Sequence, residues 1–141
     1  MQSRKEGDLI FVRLFPGEDI YRELEKVCRQ YEVSTAVVLS GLGQLKRFEL
    51  GYFREKGDYA PQQFEPAYEL LSLIGNVSLQ KGEYIFHLHA VLGGEAKEVV
   101  GGHLVRGEVE VTNEIVLLKT GLKIRRKLME RTGLQEMFLE D

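Results

Sequence analysis

From Thr35 to Leu117 the apolar residues of this chain recur at nearly every second position, after a single stretch in which they recur every three to four. Period 2 belongs to strands, whose side chains alternate between two faces. Period 3.6 belongs to a helix with one buried stripe. The change falls just past Tyr31. It leaves room for one good helix and about seven strands.

The spacing predicts the helix over 18–31. Leu9 to Phe15 is a short apolar run that reads as a strand, and Pro16-Gly17 ends it. Glu18 and Asp19 then put two acids in the first helical turn, where the dipole favours negative charge. Ile20, Leu24, Val27, Cys28 and Tyr31 share one face, and Arg22, Glu23, Glu25, Lys26 and Arg29 take the others. Beyond the helix, Thr35 to Ser40 and Leu45 to Phe53 read as two strands separated by Gly41-Leu42-Gly43. Glu69 to Ser78, Tyr84 to Leu92, Val99 to Val105 and Val109 to Leu117 read as further strands. Most are joined by short turns such as Lys81-Gly82, which antiparallel neighbours allow and parallel ones do not. The expected class is α+β: an antiparallel sheet of about seven strands packed with one main helix.

A chain of 141 residues is one domain's worth and buries a single core. The expected domain runs over 8–118, with 119–141 as a charged C-terminal extension that is partly helical. Charge marks the boundary. Residues 1–118 carry 13 Lys and Arg against 18 Asp and Glu, net −5, whereas 119–131 carry six basic residues and only Glu130 as an acid. Leu122, Leu128 and Met129 would line one side of a short basic helix there. A dedicated nucleic-acid binder shows a basic excess, and this chain as a whole does not. Any DNA contact therefore falls to Lys123, Arg125, Arg126 and Lys127, and is expected to be weak and salt-sensitive.

Cys28 is the single cysteine, so an intramolecular disulfide and a Cys-rich zinc module are excluded. Its place on the apolar helix face reads as core rather than nucleophile. Met1 to Asp8 is polar and lacks the apolar stretch of a signal peptide, and no apolar run is long enough for a membrane helix. The expectation is a cytoplasmic protein without a membrane partner. Gly41-Leu42-Gly43 is not a dinucleotide fingerprint, because Lys46 stands where the third glycine belongs and a strand follows in place of a helix.

The three histidines all fall between 87 and 103. His87 and His89 are two apart on a predicted strand, so both imidazoles point to one face, with Ile85 and Val91. Phe86, Leu88 and Ala90 fill the other. Polar rings on an otherwise apolar face need partners. His103, after Gly101-Gly102, would lie across from them in an antiparallel pair. Three neutral imidazoles suit zinc or another divalent ion with one position left open. Glu69 and Glu114 are strand carboxylates that could act as a further ligand, or, for Glu69, orient a ligand or water. The plain alternative is three histidines each hydrogen-bonded to a carbonyl.

Several segments together carry a resemblance: LSGLGQLKRFELGYF (39–53), ELLSLIGNVS (69–78), FHLHAVLGG (86–94), VVGGHL (99–104) and V-E-V-T-N-E-I (109–115), with R-L-F-P-G-E-D-I (13–20) at the start. In order and spacing they resemble the PPC ("plants and prokaryotes conserved") domain over roughly 8–118. The resemblance implies an antiparallel sheet of about seven strands with a helix, assembling as a homotrimer. Plant members carry AT-hooks that touch DNA, while the PPC domain mediates oligomerisation and partner contacts. This chain has no Arg-Gly-Arg-Pro core of an AT-hook. His-x-His with Gly-Gly-His looks like the prokaryotic branch, where the two recur together, and that strengthens the metal reading. Two functions follow: a homotrimeric DNA-associated or regulatory module with a histidine metal site, or a metal-dependent small-molecule binder or enzyme. No nucleophile or general base is identified, so no reaction is assigned.

Overall fold

In the computed structural model, which describes residues 1–139, β1 (Gln2–Glu6) and β2 (Leu9–Leu14) open the chain as an antiparallel hairpin. β2 keeps the alternation of its sequence, with Ile10, Val12 and Leu14 buried and the residues between them exposed. β1 carries no apolar period. Only Ser3 is buried in it, and its ladder to β2 is what makes it a strand.

α1 (Ile20–Gln30) follows, capped by the Asp19 carboxylate, which accepts the Arg22 backbone N–H at 2.9 Å. That satisfies one of the amides a helix start leaves unpaired. Asp19 therefore stands before the helix rather than in its first turn. Ile20, Leu24, Val27 and Cys28 are fully buried, and Tyr31 packs against them at the helix end. Burial pushes the Cys28 thiol pKa up to about 12, which fits an inert core residue.

The remaining main-sheet strands are β3 (Thr35–Gly51), β4 (Gln62–Phe64), β5 (Tyr68–Gln80), β6 (Glu83–Gly93) and β7 (Val99–Thr120). β3 and β7 are each one long strand where the glycines predict two. At Gly43 φ is +142°, and a Cβ there would sit 2.0 Å from the Thr112 carbonyl oxygen. Glycine at this position lets β3 bulge and pass close to β7 without ending. The sheet order is β1-β2-β7-β6-β5-β3-β4, and β7 also pairs with β3. β3, β5, β6 and β7 thus form a closed antiparallel circuit around the core. The seven-stranded antiparallel sheet with one helix is the architecture expected from the periodicity.

The C-terminal segment departs from its expectation. In place of a partly helical extension, β8 (Ile124–Leu128) and β9 (Gln135–Leu139) pair as a second, two-stranded antiparallel sheet. The physical reason is a period of 2: Arg126 is buried between exposed Arg125 and Lys127, and the pattern continues in β9. Leu122 and Leu128 do not form an apolar stripe; both are mostly exposed. A hairpin also holds Lys127 over the Phe138 ring, 4.5 Å from its centroid. Among the described residues no helix is long and apolar enough to cross a membrane.

Candidate metal centre

β6 buries Leu88, Ala90 and Leu92 and turns His87, His89 and Val91 to the outside. The alternation alone puts two imidazoles on the outer face. The register brings the third: His89 pairs directly with His103 of β7, and His103 in turn pairs with Gly51 of β3. β7 here passes from one neighbour to the other. A Cβ at Gly102 would lie 2.8 Å from the Gly51 carbonyl oxygen, so a side chain there would push β3 away from the site.

The ligand-type atoms of His87, His89 and His103 all lie within 4.8 Å of one another. The Nε2 atoms of His87 and His89 are 3.1 Å apart. Two imidazole nitrogens on one tetrahedral zinc stand about 3.3 Å apart, given Zn–N bonds of about 2.0–2.1 Å. The pair thus already has the needed spacing, and the third ligand-type atom lies within 4.8 Å of both. Burial first, and then the neighbouring rings, lower the proton affinity of His87 and His103. Both effects favour the neutral imidazole, which is the form that ligates. His103 Nδ1 is buried with no hydrogen-bond partner among the described residues. The structural alternative, in which each ring bonds a backbone carbonyl, lacks that bond at His103. The donor set fits a divalent ion of the zinc type.

Tyr59, from the connection before β4, meets the His103 ring edge-on, with centroids 5.4 Å apart. Asn76 of β5 pairs with His87, and Arg126 donates from Nη2 to Asn76 Oδ1. Sequence reasoning does not find these three around the site. Asn76 sits on the outer face by alternation, but its partner depends on strand register. Arg126 is hidden within a run of basic residues.

Other expected residues lie elsewhere. Glu69 pairs with Gly93, and its carboxylate accepts from Gln44 Nε2 at 2.9 Å. His89 pairs with Ile74, five residues further along β5, so Glu69 is about 16 Å down the strand at strand rise. It cannot orient a ligand at the histidines. Glu114 pairs with Arg13 and Leu42, also away from them. Of the basic run, Lys123, Arg125 and Lys127 are exposed, but Arg126 is only 5% exposed. Its neighbours in the strand point outward and it points inward, which removes it from any nucleic-acid surface.

Residues 1–121 match the family model of the Plants and Prokaryotes Conserved (PCC) domain. A plant- and prokaryote-conserved (PPC) protein of Pyrococcus horikoshii is similar in structure, with a TM-score of 0.82 and 39% identity, over 94% of this chain and 93% of that one. A metal-containing protein of Archaeoglobus fulgidus is similar at a TM-score of 0.83 and 30% identity, over 95% of each chain. A "putative DNA binding protein" of Bacteroides thetaiotaomicron shares the fold at a TM-score of 0.91 with 23% identity, over 99% of this chain and 98% of that one. Among curated proteins, the bifunctional protein GlmU of a Synechococcus strain is 30% identical over 131 residues. That match covers 92% of this chain and 20% of the relative, so the chain spans about a fifth of the length of the curated relatives it matches.

Proposed function

The chain belongs to the Plants and Prokaryotes Conserved domain family, and on that premise we propose that it is a self-associating protein that holds one divalent ion, zinc, on His87, His89 and His103. The observation that carries this reading is the convergence of the three imidazoles, with ligand atoms within 4.8 Å. The similarity to a metal-containing archaeal protein supports it. Three nitrogens leave a tetrahedral ion one open position, which takes water or a small ligand. A bound ion would supply Lewis acidity there. The role assigned is binding, with no reaction attached to it.

Self-association rests on the outer face of the same sheet. Val37 and Ile74 are 41% and 54% exposed and share that face with Asn76 and His89 through the pairing register. Val91, at 42%, follows His89 by alternation. Clustered apolar exposure of this kind marks an interaction surface. A homotrimer, the state the family resemblance implies, would cover it.

A second reading is DNA association. Lys123, Arg125 and Lys127 are exposed on one short segment, and a fold relative carries a DNA-binding name. The net −5 of residues 1–118 opposes close approach to phosphates, so the binding expected is weak and sequence-tolerant. The test of the metal reading is titration of chelator-treated, tag-free protein with zinc. Uptake near one ion per chain, lost in His89→Ala, supports it. No binding tighter than millimolar in the wild type removes it.

A further inference from the structure

We propose that the cavity beside His87 and His103 binds a small organic anion, its carboxylate paired with Arg126 and its apolar body lying against Ile85, Leu134 and Met137. The cavity measures about 530 Å³, within the range of small-molecule sites. The histidine side of β6 forms one wall, Tyr59 a second, and the β8–β9 hairpin a third. The hairpin lies beyond the residues matched by the family model, which end at 121.

Arg126 selects the ligand. Its backbone is clamped to β5: its N–H donates to Gln80 Oε1 at 2.7 Å, and its carbonyl accepts from Gln80 Nε2 at 3.1 Å. Its Nη2 donates to Asn76 Oδ1, and its Nε is buried without a partner among the described residues. Arg126 forms no ion pair with any described residue. Glu136, the one carboxylate in the cavity wall among the described residues, accepts from Thr132 Oγ1 at 2.9 Å and makes no ion pair with Arg126. Guanidinium stays charged in proteins. A buried charge is costly unless an opposite charge meets it, and a ligand carboxylate supplies that charge. The burial also shows as a lowered pKa at Arg126.

Where an ion occupies the histidines, a point on which this step rests on the metal reading, the cavity holds two positive centres. An anion between them is favoured. The walls contributed by Ile85, Leu134 and Met137 are apolar, so they favour an aryl or branched-alkyl body over a sugar or a bare inorganic anion. The ligand class is a small hydrophobic carboxylic acid.

The experiment is calorimetric titration of zinc-loaded and of chelator-treated protein with benzoate, acetate and the neutral isostere benzamide. Zinc content is measured on the same samples. Benzoate is expected to bind more tightly than acetate, and benzamide not at all. Arg126→Met is expected to weaken benzoate by at least about tenfold while zinc uptake is unchanged, the loss of one charge-assisted pair. Asn76→Asp sets a carboxylate against the guanidinium and is expected to do the same while keeping the hairpin, which covers the case in which Arg126→Met unfolds. Equal binding of benzoate and benzamide, wild-type affinity in either variant, or no benzoate binding by protein that takes up zinc each overturns the proposal. Arg126-dependent benzoate binding by protein that takes up no zinc upholds the anion site and removes the metal reading.

Discussion

The two faces of β6 are built from alternate residues of one strand, yet they do different work. Leu88, Ala90 and Leu92 are almost fully buried in the core. His87 and His89, one position out of step, carry nitrogens of the kind that can hold a metal ion, and Val91 beside them leaves apolar surface uncovered. The inner face is satisfied by packing within the chain. Among the described residues the outer face is left with three converging imidazoles, a His103 Nδ1 without a hydrogen-bond partner and an apolar patch. Stability lives on the first face, and on the proposed reading ligand binding and assembly belong to the second. Because the strand period is 2, a slip of one residue would exchange the two roles.

Substitutions on the two faces should therefore separate cleanly. Leu88→Asp buries an unpaired charge and is expected to cost at least about 4 kcal/mol, a large share of a domain's total stability. Chemical denaturation checks it, and an unchanged midpoint would mean the faces are misassigned. His89→Ala is expected to shift metal-free stability by no more than about 0.5 kcal/mol, since the side chain is exposed. It should weaken zinc by more than about 100-fold, because losing even a partner of a ligand costs about 10–100-fold. Saturating zinc should accordingly raise the melting temperature of the wild type and leave that of His89→Ala where it was.

Ile74→Lys tests assembly on the same outer face. Light scattering is expected to fall from three times 16.1 kDa to one, with the far-ultraviolet spectrum retained. A mass that stays at three chains would move the interface to another surface. The smallest effect belongs to the hairpin. Replacing Lys123, Arg125 and Lys127 by Glu should reduce the salt slope of any DNA binding by at most about 2.7, from three phosphate contacts at about 0.9 each. A larger change would require basic residues outside that run.

How far the site can be read from sequence follows the same division. The strand alternation puts His87 and His89 on one face, and the helix stripe of Leu24, Val27 and Cys28 is read directly, because both depend on local periodicity. The partnership of His103 with His89 is suggested by antiparallel succession and becomes definite only with the register. Glu69 is misjudged for that reason: it belongs to the neighbouring strand but sits opposite Gly93 rather than the histidines. The glycines mislead about β3 and β7, since a glycine demanded by close approach to a neighbour looks in sequence like one that ends a strand. Arg126 is the hardest to foresee. Its charge places it with the exposed basic residues, and only the pairing of β8 with β9 turns it inward.

X-ray absorption at the zinc edge of the loaded protein examines the histidine centre most directly. The account predicts a first shell of three imidazole nitrogens and one oxygen at about 2.0–2.1 Å, with the outer-shell pattern of imidazole rings and no sulfur at about 2.3 Å. Collapse of that pattern in His103→Ala would follow. An oxygen-only shell, or a sulfur ligand from Cys28, would contradict it.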